Sequence, residues 1–112
     1  MQWRVVYHPD ASNEEQQLPA REREALQRAV EKLIAIGPTL GYPHTSSVLN
    51  AEHLRELRPR AGRSPWRALY RQIGNVLVIA AISPEAQVNK HGFRRAVEAA
   101  ERRLDEIEEG EE

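Results

Sequence analysis

Residues 54–83 read LRELRPRAGRSPWRALYRQIGNVLVIAAIS, and this stretch decides the fold. It holds three runs suited to β-strands, separated by turn residues. His53 to Arg58 is the first, and Pro59 ends it. Trp66 to Gln72 is the second, Gly74-Asn75 turns the chain, and Val76 to Ser83 is the third. Arg60 to Ser64 has the length of a hairpin connection. Links this short predict three antiparallel strands in a meander. Val76 to Ile82, seven residues, is the longest apolar run in the chain. It fits a buried strand and is far shorter than the ~20 residues a membrane-spanning helix needs.

Side chains alternate faces along a strand. Leu54, Glu56 and Arg58 therefore share one face, and Arg55 and Leu57 the other. In the next strand Trp66, Ala68 and Tyr70 form an apolar face, opposite Arg67, Leu69 and Arg71. This pattern predicts that Trp66, Ala68 and Tyr70 pack against helices. Arg67 and Arg71 are expected on an open sheet surface with Arg58, Arg60 and Arg63 at its rim.

Working toward the N-terminus, Trp3 to His8 is a short strand candidate, expected at an edge or beside the final strand. Pro9-Asp10 ends it, and the polar stretch Ala11 to Gln17 is expected to be a loop. Arg21 to Ile36 is rich in helix formers, with Leu26, Val30, Leu33 and Ile34 on one helical face. Gly37-Pro38 stops that helix. Thr39 to Ala51 reads as a loop pinned to the core by Leu40, Tyr42, Val48 and Leu49. Toward the C-terminus, Glu85 to Gly92 is ambiguous. Phe93 to Ile107 is helical, with Phe93, Val97, Ala100, Leu104 and Ile107 on one face. The chain ends in an acidic tail, residues 107–112, expected to fray. The order predicts one small α+β domain over residues 1–112, an antiparallel sheet with N-terminal and C-terminal helices.

The 112-residue chain has no cysteine, which excludes disulfides and a thiolate nucleophile. Met1-Gln2-Trp3-Arg4 offers no apolar signal core, so a cytoplasmic location is expected. The net charge of −1 hides a strong segregation. Residues 52–95 hold 9 basic and 3 acidic groups, net +6, whereas residues 96–112 hold 2 basic and 8 acidic groups, net −6. The middle of the chain can therefore attract a polyanion that its end repels. Of 16 basic residues 14 are arginine, which suits bidentate phosphate recognition and is equally a product of codon bias. The four histidines are scattered without zinc-site spacing, no glycine-rich phosphate loop is present, and no serine sits in a nucleophile motif.

Leu54-Arg55-Glu56-Leu57-Arg58 followed by Trp66-Arg67-Ala68-Leu69-Tyr70, an apolar strand and a C-terminal helix resembles the RelE/HigB toxins of type II toxin–antitoxin systems. The likeness is to their phage-derived HigB-like branch and covers residues 54–82 most closely. Tryptophan stands where the second motif usually opens with tyrosine. The resemblance implies a compact RelE-like microbial RNase fold and a ribosome-dependent endoribonuclease that cuts mRNA without a metal or other cofactor. Its partners are then the ribosome, mRNA and a cognate antitoxin, a helix-turn-helix protein. By residue it assigns the reacting phosphate to Arg67, then Arg58. Arg60, Arg63, Arg71 and Lys90 become RNA contacts. Related toxins place a base just after the last strand, where this chain has Ser83-Pro84-Glu85-Ala86-Gln87.

Two readings stay open for several residues. Glu56 is a general base or the ion-pair partner of an arginine. His91 is an acid–base group or part of a helix-start loop. Arg67 is a phosphate ligand whose removal leaves the core intact, or a structural partner of Glu56. At the level of function, the alternatives are a ParE-like DNA gyrase inhibitor and a module that retains only antitoxin binding.

Overall fold

The last apolar run forms the centre of a five-stranded sheet. The structure is a computed structural model describing residues 2–110. Its strands are β1 (Arg4–Tyr7), β2 (Thr45–Ser47), β3 (Arg55–Leu57), β4 (Trp66–Ile73) and β5 (Val76–Pro84). Its helices are α1 (Pro9–Gln16), α2 (Ala20–Ile36) and α3 (Lys90–Gly110). The strand order is β1-β5-β4-β3-β2. The expected meander is present: β3 pairs antiparallel with β4, and β4 with β5. The N-terminal strand lies at the edge beside β5, and the pair is parallel.

Both faces of the sheet are covered. Ala68, Tyr70, Leu77 and Ile79 pack with Ala11 of α1 and Leu26, Val30 and Leu33 of α2. Leu69, Val78, Ala80 and Ala81 pack with Ala100 and Leu104 of α3. This explains why residues 77–83 of β5 are all buried. The expected open surface is therefore corrected. Alternation placed Arg67 and Arg71 on the right face, but α3 packs against that face through the apolar stripe that its own sequence carries.

A β-bulge lies between the two halves of β5. Leu69 faces Ala81 and Tyr70 faces Ile79, so Ala80 is the extra residue. It sits where β1 ends, since Tyr7 pairs with Ile79. Beyond that point the free edge of β5 is met by side chains. The Ile82 amide donates to Glu14 of α1 at 3.0 Å, and Arg103 of α3 donates to the Ala80 carbonyl at 2.8 Å. Arg103 also pairs with Glu14 at 2.8 Å, so one ion pair closes the edge and joins two helices.

Several local expectations are corrected. Residues 11–17 are not loop: most of them lie in α1, started by Pro9 in its first turn and by the His8 ring nitrogen accepting from the Asp10 amide at 3.0 Å. The buried residues of α1 are Ala11 and Glu15, which is too little apolar surface to show a hydrophobic period. Thr45–Ser47 is a strand rather than loop, and β3 is shorter than expected because His53 holds φ at 62°. Leu49 and Tyr42 do not pin their segment: they are 87% and 76% exposed, and Leu40 and Val48 are the buried residues there. The helix expected over 93–107 starts at Lys90 and runs to Gly110, so the acidic end continues the helix, and residues 111–112 lie outside the described residues. Gly37 ends α2 at φ 82°, and the Trp3 indole occupies the space a Cβ would need.

Candidate functional site

The β3–β4 register sets Glu56 opposite Leu69 and Leu57 opposite Ala68, which brings Arg58 alongside Arg67. Glu56 lies between the two arginines. Its carboxylate is 3.3 Å from Arg58 and 3.5 Å from the Nε of Arg67, and it accepts from the Ser46 hydroxyl at 3.2 Å. Three of the residues read from the sequence as site residues are thus brought together. Glu56 makes the ion pairs that its second reading required.

Arg67 is 2% exposed. Its guanidinium donates to the carbonyls of Ser64 at 2.7 Å, Trp66 at 2.9 Å and Gly62 at 3.3 Å. It also lies 3.5 Å from Glu85, which follows β5. Burial lowers its proton affinity, and the charges of Glu56 and Glu85 oppose that shift. An arginine so placed remains a cation at neutral pH. The expectation that Arg67 can be removed without touching the core does not hold. Its side chain holds the loop between β3 and β4 from beneath.

That loop is strained. Arg60 and Ala61 are both left-handed, with φ 55° each, a conformation costing on the order of 1–2 kcal/mol per non-glycine residue. Side-chain bonds hold it. Both carboxylate oxygens of Glu22, in the first turn of α2, accept from Arg60 at 2.9 Å, and the Ser64 hydroxyl donates to Glu22 at 2.8 Å. Hydrogen bonds from Arg60 and Ser64 hold the Glu22 carboxyl below the usual carboxylate range. Arg60 is thereby committed to α2, while the exposed Arg63 donates only its Nε to the Arg60 carbonyl.

Arg58 is the reachable cation of the cluster. It is half-buried, donates to the Pro43 carbonyl at 3.1 Å, and stacks 5.1 Å over the exposed Tyr42 ring. The remaining sequence-read residues lie apart. Arg71 reaches Asp105 and Glu108 of α3, each at 3.4 Å, instead of an open face. Lys90 and His91 are exposed in the first turn of α3, and neither has a hydrogen bond or ion pair to the cluster. Sequence reasoning missed Glu85, Ser46, Tyr42 and Glu22. Glu85 carried a signal, as an acid where a base was expected. Glu22 carried none, because its partners Arg60 and Ser64 lie about 40 residues away in sequence.

The arrangement of a mostly antiparallel five-stranded sheet, a basic β3–β4 loop and helices on both faces matches a RelE-like fold. It is similar to the E. coli RelE toxin carrying two arginine-to-alanine substitutions in the free state, with a TM-score of 0.63, 17% identity, and coverage of 88% of this chain and 97% of that one. The archaeal RelE–RelB complex from Pyrococcus horikoshii matches with a TM-score of 0.55 at 20% identity, over 78% of this chain and 99% of that one. The RelBE2 toxin–antitoxin complex of Mycobacterium tuberculosis gives 0.58 at 19% identity, over 76% and 100%. Residues 14–105 match the family described as phage derived protein Gp49-like, and the chain belongs to that family. No curated protein sequence matches the chain. Among the described residues no helix is long and apolar enough to cross a membrane.

Proposed function

We propose that this protein is the toxin of a toxin–antitoxin pair, a cytoplasmic, metal-independent endoribonuclease that cuts mRNA on the ribosome. The observation that carries the reading is the Glu56–Arg58–Arg67 cluster beside a basic loop. In the proposed reaction Glu56 takes the proton of a ribose 2′-hydroxyl. The 2′-oxygen bonds to the adjacent phosphorus, and the bond from phosphorus to the 5′-oxygen breaks. The products are a 2′,3′-cyclic phosphate and a 5′-hydroxyl, the latter taking its proton from water, since His91 lies apart from the cluster in the first turn of α3. Arg58 stabilises the charge that grows on the phosphoryl oxygens. Arg67 acts from beneath, fixing Glu56 and the loop. It touches phosphate itself only if an anionic substrate displaces Glu56 or Glu85. Arg63 supplies an RNA contact from the loop, and Arg60 and Arg71 add to it only by leaving Glu22 and the α3 acids, while Lys90 lies apart at the start of α3.

The likeness to RelE proteins solved with their antitoxins supports a protein antitoxin as partner. A second reading, a DNA gyrase inhibitor without nuclease activity, is favoured by one observation: Glu85 occupies the segment where a base is expected and neutralises Arg67. Induction in cells with mapping of mRNA 5′ ends separates the two. The nuclease reading expects new 5′ ends within codons, lost in Arg58→Ala. Induced cells with intact mRNA and inhibited supercoiling would sink it.

A further inference from the structure

Outside the Glu56 cluster, a strongly cationic concavity lies on the other face of the β3–β4 loop. It is a groove of about 310 Å³ between α2 and the Pro59–Gly62 turn. Its charged lining is Arg28 and Lys32 from α2, Arg60 and Arg63 from the turn, and Arg58 with His44 at one end, with no carboxylate among the lining residues. Among the described residues Lys32 and Arg63 have no acidic partner. Arg28 has only the exposed i,i+4 pair with Glu24 at 3.4 Å, which water screens. Arg28 and Lys32 stand one helical turn apart. The strained Arg60–Ala61 backbone, tied down through Glu22, is what sets the turn's arginines facing them.

We propose that this groove is a second phosphodiester-binding site, taking the RNA backbone where it leaves Arg58. Arg58 lines the groove and also pairs with Glu56, so the two sites are continuous through one side chain. The proposal deepens the nuclease reading and rests on it for the direction of the strand. The ligand is a phosphodiester rather than an acidic peptide for two reasons. The groove offers no free strand edge: α2 bonds its own backbone, and the Gly62 carbonyl is taken by Arg67. What remains is a row of cations around a nucleotide-sized space, which suits phosphate oxygens. The strand is either the mRNA itself or an exposed segment of ribosomal RNA.

The test uses the full chain and the double variant Arg28→Gln/Lys32→Gln, with both substituted side chains exposed on α2. Two probes distinguish the sources, a labelled 12-nucleotide single-stranded RNA and vacant small ribosomal subunits. Binding is measured by anisotropy or sedimentation between 50 and 200 mM salt. Loss of two phosphate contacts lowers the slope of log K against log salt by about 1.4 for single-stranded RNA. Affinity is expected to fall about tenfold at low salt on whichever probe occupies the groove. Arg94→Gln/Arg102→Gln, on the exposed surface of α3, is the control and leaves both unchanged. Unchanged affinity and slope on both probes in the α2 variant would overturn the site. So would a poly-glutamate peptide that binds as tightly as RNA with the same dependence on Arg28 and Lys32. A wild-type chain that binds RNA through the groove yet leaves mRNA whole overturns the nuclease reading alone.

Discussion

Replacing Arg67 by alanine removes a guanidinium that sits between two carboxylates and donates to three carbonyls. The loss costs about 3 kcal/mol, because three carbonyls lose their donor and both carboxylates lose a cation, although Glu56 keeps Arg58 and Ser46. Thermal denaturation followed by circular dichroism should show a drop on the order of 10 °C. An unchanged melting temperature would restore the surface reading of this residue. Lysine should recover only part, since one ammonium cannot reach three carbonyls and two carboxylates at once. Two tyrosines, the partly buried Tyr7 and the buried Tyr70, make a sharper contrast. The Tyr7 hydroxyl donates to the buried Glu15 at 2.8 Å, and burial, reinforced by Glu15, pushes its ionisation far above the ordinary tyrosine range. Tyr7→Phe leaves a buried carboxylate short of a donor and should cost about 1–3 kcal/mol. The Tyr70 hydroxyl is buried with no partner, so Tyr70→Phe should leave urea stability unchanged or raise it. Equal losses in both variants would contradict this assignment of partners.

At the scale of elements, the β3–β4 loop is held to α2 by Glu22, and that tie titrates. Its carboxyl is depressed in the folded protein below its ordinary value of 4.5. A depressed acid contributes stability that is present above the unfolded pKa and is lost as pH falls through the folded one. Glu22→Gln should therefore lower the urea midpoint most at neutral pH. The gap to wild type should shrink as acid protonates Glu22, and a gap independent of pH would contradict the tie. The helices show why periodicity reads some elements and not others. The apolar stripes of α2 and α3 appear in sequence because each helix buries one against the sheet. The inward residues Ala11 and Glu15 of α1 make no such stripe, and the edge-closing role of Glu14 exists only once β5 and α3 are in place.

Over the whole molecule the charge segregation has a spatial form. Cations gather around the β3–β4 loop and the facing side of α2, and acids crowd the second half of α3. A surface built this way binds polyanions through one region regardless of its average charge. The chain should be retained on heparin at pH 7.5 and low salt although its sequence pI is about 6.4, and Arg28→Gln/Lys32→Gln should elute earlier. Flow-through of the wild-type chain would show that the acidic helix cancels the basic region at range. The same segregation explains Arg71. Asp105 and Glu108 occupy it from α3, so this arginine answers to the helix before it answers to any ligand.

The sequence by itself determined the meander, its turns, the two long helices and the face on which each residue of β3 and β4 lies. These follow from local rules: period-two alternation, apolar stripes and Gly or Pro stops. It also placed Glu56, Arg58 and Arg67 together, because strand pairing turns neighbouring positions on two adjacent strands into neighbours in space. Tertiary structure alone decided what covers each face, and with it the role of the arginines. Whether a cation on a strand meets solvent, a helix or two carboxylates depends on elements tens of residues away. Glu85 for Arg67, Glu22 for Arg60 and Asp105 for Arg71 are such encounters. The last two arise from packing α2 and α3 on opposite faces of one sheet, and the first from the pairing of Trp66 with Pro84, which sets Glu85 beside Arg67.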